Sequence, residues 1–260
     1  MEVIKVTLPS KFDKLEIHTF ADEHIGDENS DLERLQARIE YVANKENAYC
    51  ILNGDIIDYT SKTSIGDIEA REFNIMGQLE KAIELFSPLK DKILAITNGN
   101  HENRGYRKEG FDIAKVIAMQ LGIPDRYSPT SVLIFLRFGK GHSHGRGGKE
   151  PRLFTIYVNH GSGGGRKEGA KAIRLADMAS IIDADIYIHS HTHLPMVMKQ
   201  GFFRTDLRNS SIQNVTKLFV NSASNLNYGG YGEAGEFKPN SKDTPVIHLT
   251  ASTKSMTATL

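Results

Sequence analysis

Apolar positions along the chain alternate between short continuous runs and helical spacings. Leu15 to Phe20 is a β-prone run that stops at Ala21-Asp22. Ser30-Asp31-Leu32-Glu33 has the form of a capping box, with Ser30 capping the helix and Glu33 returning the bond. Leu32, Leu35, Ile39 and Val42 follow on one helical face. Tyr49 to Leu52 predicts a strand that ends at Asn53-Gly54-Asp55, and Ile75, Leu79, Ile83 and Phe86 predict a second helix closed by Pro88. Lys92 to Thr97 predicts a strand ending at Asn98-Gly99-Asn100-His101, and Ala114, Ile117 and Leu121 a helix before Gly122 and Pro124. Ser131 to Phe138 and Arg152 to Asn159 predict strands that flank a Gly-rich insertion. A helix over Ala170 to Ile182 and a strand over Ile186 to His189 come next. The remainder has strand-like pieces at Phe202 to Leu207, Lys217 to Asn221 and Val246 to Thr250, and no helix.

Strands that alternate with helices predict an α/β fold in which helices cover sheets. The 260 residues carry no fixed-period repeat and no linker, so one domain over 1–260 is expected, within the soft prior of about 150 residues per domain. Lys plus Arg and Asp plus Glu are both 32, and this zero balance argues against a broad basic surface for nucleic acid while leaving room for a local groove. The single cysteine, Cys50, excludes an internal disulfide and a thiolate zinc cluster. No apolar run is long enough for a signal peptide or a membrane span, so a cytoplasmic protein without membrane contact is expected.

The polar residues gather where the predicted strands end. Asp22 and His24 follow the first strand, Asp55 and Asp58 the second, and Asn100 and His101 the third; His160, then His191 and His193, follow later ones. Ligands of α/β sheets bind beyond the carboxyl ends of strands. A lone Asp there is an ordinary turn former, but five successive segments that all carry oxygen or imidazole donors exceed what turns require. Such donors without thiolates suit Mn, Fe, Zn or Ni. The set is too large for one tetrahedral ion and sufficient for a pair sharing a carboxylate, which can clamp a phosphoryl group.

The ordered set Asp22-Glu23-His24, Gly54-Asp55-Ile56-Ile57-Asp58, Gly99-Asn100-His101-Glu102, Asn159-His160-Gly161 and His191-Thr192-His193 resembles the motifs of the calcineurin-like metallophosphoesterase family. The resemblance implies a four-layer αββα sandwich with mixed β-sheets and a dinuclear metal site at the strand ends. It implies that Asp22, His24 and His193 hold one divalent ion, that Asn100, His160 and His191 hold the other, and that Asp55 bridges them. Manganese is the expected metal, with Fe, Zn or Ni as alternatives. It implies that His101 acts near the leaving group as general acid or charge stabiliser, oriented and kept protonated by Asp58. The implied activity is phosphoester hydrolysis by a metal-bridging hydroxide, with a phosphodiesterase acting on nucleotides or nucleic acid preferred and a nuclease kept as an alternative. A phosphomonoesterase or protein phosphatase, and a non-catalytic scaffold, are the alternatives.

Two departures from the family pattern stand out. Ser190 occupies the place of the glycine that usually opens the last motif, and His189 adds a third alternating histidine. Continued strand alternation would put His189, His191 and His193 on one face; a buried or supporting role for His189 is preferred over ligation. Arg104, Gly163 and Arg166 are candidate substrate contacts, the last two from the Gly-rich run after His160, whose N–H groups suit phosphate oxygens. Arg107 is a further possible clamp, and the Gly139–Gly148 insertion with His142 and His144, and the Tyr228 loop, are possible substrate-facing segments.

Overall fold

The computed structural model describes residues 1–59, 74–140 and 150–260, and the backbone alone of Tyr231. The elements run β1 (Glu2–Thr7), β2 (Lys14–Phe20), α1 (Leu32–Asn44), β3 (Ala48–Asn53), α2 (Ile75–Phe86), β4 (Ile93–Thr97), α3 (Asn100–Glu109), α4 (Ile113–Gln120), β5 (Tyr127–Ser128), β6 (Ser131–Phe138) and β7 (Arg152–Asn159). They continue with α5 (Glu168–Asp177), β8 (Ile186–His189), β9 (Met196–Asp206), β10 (Ser211–Asn221), α6 (Gly230–Ala234), β11 (Val246–Thr250) and β12 (Ser255–Thr259).

Two mixed sheets result. One has the order β1-β6-β7-β8-β10-β9, the other β12-β11-β2-β3-β4-β5. Period-two alternation explains their packing. Along the fully buried β3, Tyr49 and Ile51 join the core between the sheets, against Ile134, Ile156 and Ile188, while Cys50 and Leu52 face α1, α2 and α4. Leu175 of α5 packs with Tyr157, Tyr187 and Phe219 on the opposite outer surface. Three apolar clusters therefore separate four layers, helix–sheet–sheet–helix, and the expected αββα sandwich is present.

Several local expectations change. The cap of α1 is Asp31, whose side chain accepts the Arg34 N–H, while the Ser30 hydroxyl donates to the Glu23 carbonyl. A cap of this kind contributes ~1 kcal/mol. Helix α5 ends at Asp177 and passes into a 3₁₀ turn at Met178–Ser180 rather than continuing to Ile182. Strands β5 and β12 and helices α3 and α6 carry too few apolar residues for the pattern to mark them, and β1, whose Ile4 and Val6 alternate into the core, adds to the expected strands; α3 buries only Glu102 and Gly105. His142 and His144 of the insertion lie outside the described residues.

Parallel pairing places the site. Strands β2, β3 and β4 run side by side in one sheet, and β7 and β8 in the other. Their carboxyl ends meet at one edge, where the His160 imidazole after β7 reaches the Asn53 carbonyl that ends β3.

Candidate metal centre

The chain turns sharply as it leaves each strand. Asp22, His24, Asp55, His191 and His193 are five of the nine described non-glycine residues with positive φ, and theirs lie between 47° and 63°. That region is costly for residues with a Cβ and persists only where the surroundings over-determine it. Cross-loop bonds do so: Asp22 N–H donates to Gly54 O at 3.1 Å, His24 N–H to Asp55 O at 3.0 Å, and Ser190 N–H to His160 O at 3.0 Å. The loops after β3 and β4 touch through Gly54 and Gly99; a Cβ on Gly99 would overlap Asp55 N and Oδ1.

Several candidate ligands are tethered by one atom and present another to the centre. Asp22 Oδ2 accepts the His191 N–H at 2.9 Å, while Oδ1 lies 3.2 Å from His193 Nε2 and 3.9 Å from His160 Nε2. Asp55 Oδ1 accepts the His101 N–H at 2.8 Å, while Oδ2 lies 3.2 Å from His160 Nε2. His160 Nδ1 donates to Asn53 O at 2.6 Å, which turns Nε2 inward, 3.3 Å from Asn100 Oδ1. Second contacts of this kind fix the tautomer and direction of metal-binding side chains.

The inward atoms form three groups, each within 4.8 Å: Asp22, His24 and His193; Asp55, His160 and His191; and His24, Asp58 and His101. The first brings together Asp22, His24 and His193, and the second places Asp55 with His160 and His191, with Asn100 beside them. Asp22 Oδ1 stands between these two groups. Asp22 Oδ1 and both ring nitrogens of His24 are buried without a hydrogen-bond partner. Orphaned buried polar atoms call for a ligand, and carboxylate, amide and imidazole donors suit divalent first-row ions. The residues fit the metal pair that the motifs imply.

The electrostatics agree. Burial opposes charge on His24, yet the Asp58, Asp55 and Asp22 carboxylates outweigh it and raise the imidazole to about 9. Burial likewise opposes charge on His160, and Asp55 and Asp22 raise it to about 10. Conversely, burial pushes the Asp22 and Asp55 carboxyls up, but the surrounding imidazoles hold both below the usual range. Burial lowers His191, helped by the neighbouring His160 charge. The carboxylates thus gather positive charge, from protons or from cations.

His101 stands at the mouth. Its Nδ1 bonds the Asp58 main-chain carbonyl, with the Asp58 carboxylate 3.4 Å away, so Asp58 orients the ring mainly through its backbone. His101 Nε2 lies 4.0 Å from Asp55 Oδ2 and 3.3 Å from the Arg104 guanidinium. Arg104, Gly163 and Arg166 all line a cleft of about 1620 Å³ that opens over the centre. Lys108, Lys171 and Tyr228 line it as well. Arg166 is engaged on the rim: it donates to Gly235 O at 3.1 Å and lies over the Phe237 ring. Arg107 is exposed and outside the cleft. Strand β8 ends at His189, and the left-handed turns at His191 and His193 break the alternation. His189 instead bonds Asn221 Oδ1 through Nδ1 at 2.8 Å and joins none of the three groups.

Glu102 is a supporting residue whose role the sequence does not announce. Glu102 is fully buried, and its carboxylate accepts the main-chain N–H groups of Gly99, Asp55, Ile56 and Ile57 at 2.7–3.3 Å. Burial and the nearby Asp55 charge push its carboxyl up, and the N–H donors oppose this. Its place three residues after Gly99, at the start of a helix, was the available signal, and it depended on recognising α3.

The model of the calcineurin-like phosphoesterase family matches residues 17–195, well over half of the chain, and the chain belongs to that family of metal-dependent phosphoester hydrolases. Similar solved structures include a conserved protein of Streptococcus pneumoniae TIGR4 (15% identity, 95% of this chain and 98% of that one, TM-score 0.38). A metallophosphoesterase from Sphaerobacter thermophilus shares 14% identity over 94% of this chain and 87% of its own, with a TM-score of 0.41. Zinc-complexed Vps29 from Entamoeba histolytica shares 12% over 94% and 97%, with a TM-score of 0.41. No curated protein matches the chain. Among the described residues no helix is long and apolar enough to cross a membrane.

Proposed function

We propose that this chain, as a single domain, is a phosphodiesterase acting on nucleotides or short nucleic acids. Asp22, His24 and His193 would hold one divalent ion and Asn100, His160 and His191 the other, with Asp55 shared between them and manganese the preferred metal. Such a pair supplies water acidified toward neutral pH and neutralises phosphoryl charge.

The observation that carries the diester reading is the placement of His101. Asp58 fixes the ring through Nδ1, which leaves Nε2 facing the cleft beside the Arg104 guanidinium. Nε2 is the atom positioned to meet a departing oxygen, and Arg104 adds a fixed positive charge suited to a phosphoryl oxygen. A diester expels a poor leaving group and gains most from such help, typically ~10²–10⁴-fold. The cleft supports a substrate larger than a single phosphate: about 1620 Å³ exceeds the roughly 300–1,000 Å³ of small-molecule sites. The zero net charge favours short substrates over long duplex DNA.

The test is the initial rate on a chromogenic phosphodiester with added Mn²⁺, with the matching monoester in parallel. Chelator-sensitive diester turnover supports the reading. Monoester turnover alone makes the protein a phosphatase and removes the leaving-group role from His101.

A further inference from the structure

The loop that carries His191 and His193 is held from behind by a residue of a different strand. Asn221 ends β10, in register with His189 of β8, and is buried. Its Nδ2 donates to Thr192 Oγ1 at 2.9 Å and to Leu194 O at 2.7 Å. These acceptors flank His193 in sequence. Because the Leu194 carbonyl can only accept, the amide orientation is settled: Oδ1 faces His189, whose Nδ1 must donate to it. The other face of the His189 ring lies against Gly161, where a Cβ would overlap Nε2. One side-chain amide therefore ties residues 189, 192 and 194 together around two histidines in left-handed backbone, at φ 63° and 56°. Left-handed residues with side chains keep that shape only under such constraint.

We propose that Asn221 is the positioning residue for both halves of the metal centre, an inference that rests on reading His191 and His193 as ligands. Its hydrogen bonds go to His189, Thr192, Leu194 and Ser222. It acts on the ligands only through their backbone. Because His193 belongs with Asp22 and His24, and His191 with Asp55 and His160, releasing the loop weakens both ions at once. A ligand substitution in one half would not have that signature. His189 has its place in the same device, as the anchor that turns the Asn221 amide.

The test is a Co²⁺ titration of the metal-stripped protein, wild type against Asn221→Ala, followed by visible absorption. Amide hydrogen exchange over residues 190–194 of the stripped proteins and a melting curve accompany it. Wild type is expected to take up two ions. The folded variant should bind both about 10–100-fold more weakly, the usual effect of losing an outer contact. It should also show altered visible bands and faster exchange in the loop before any metal is added. Wild-type affinity, bands and exchange in a folded Asn221→Ala overturn the proposal. Should that variant fail to fold, Thr192→Val decides, since it removes one acceptor at nearly constant shape: weaker uptake of both ions supports the proposal and wild-type uptake overturns it. A wild-type protein that takes up fewer than two ions overturns the ligand assignment itself.

Discussion

The main-chain N–H of Asp55 donates to Glu102 Oε2 at 2.9 Å, so one buried carboxylate holds the backbone of another. Glu102 Oε2 also takes Gly99 N–H, and Oε1 takes Ile56 and Ile57 N–H. Glu102→Gln keeps the shape but replaces one acceptor oxygen by an amide that can only donate. Whichever way it turns, two N–H groups face another N–H. An unsatisfied buried group costs about 1–3 kcal/mol. At roughly 2–4 °C per kcal/mol for a domain somewhat smaller than this one, the metal-free variant should melt several degrees lower, and a metal titration should show weaker binding at Asp55. An unchanged melting temperature would contradict the role given to Glu102.

Gly99 is required by space rather than by backbone conformation. Its φ is −100°, open to any residue, yet a Cβ there would overlap Asp55 N and Oδ1. The neighbour is backbone and cannot rotate away. Gly99→Ala should therefore separate the loops after β3 and β4, at a typical overpacking cost of about 1–3 kcal/mol. Metal uptake should fall further than with Gly164→Ala, where nothing lies within 4 Å of the added carbon. Equal metal uptake by the two variants would show that the loop contact does not shape the site.

Residues whose partners are apolar, or whose motif spans a few positions, were legible in the sequence. Strands β6, β7 and β8 begin and end where the apolar runs do, because the core demands continuous burial there. The expected ligands from Asp22 to His193 converge because parallel strands deliver their ends to one edge. Helix α3 was not legible: Asn100–Glu109 has almost no apolar face, and the site rather than the core fixes it. Asn53, Glu102 and Asn221 were missed as supports for a related reason. They serve main-chain groups and buried side chains of other loops, and no sequence spacing records which N–H a distant carboxylate or amide will meet. The Ser30 cap was misplaced by one residue because Ser30 and Asp31 are both good caps, and the Glu23 carbonyl claims the serine hydroxyl.

His101→Asn isolates leaving-group assistance from metal binding. The His101 ring lies outside the two groups expected to hold the ions, while its main-chain N–H, which survives the substitution, tethers Asp55 Oδ1. The variant should keep two ions by elemental analysis and lose about 10²–10⁴-fold in kcat on a chromogenic diester, the usual share of general-acid help. The loss should shrink as the leaving group becomes a better one. A uniform loss across leaving groups would point instead to misplaced substrate.

Metal loading should release protons, with a pH dependence set by His24 and His160. Their imidazoles sit at about 9 and about 10, against an ordinary value of 6.5, because the site carboxylates outweigh burial. At pH 7.5 the metal-free centre therefore holds two imidazolium protons, and both must leave before the rings can ligate. Calorimetric titration with Mn²⁺ in buffers of different ionisation enthalpy should report release of about two protons per pair of ions. Apparent affinity should rise with pH from 6 to 8.5, by roughly tenfold per unit for each proton displaced. The sign for the metal-free protein is the reverse. A raised folded-state pKa contributes stability that is complete below 6.5 and is lost as pH climbs through 9 and 10. The metal-free protein should lose stability over that window, and the gain in melting temperature on adding Mn²⁺ should be larger at pH 8.5 than at pH 6.5. Metal binding with no buffer dependence would mean that these rings are already neutral and that another cation balances Asp22, Asp55 and Asp58.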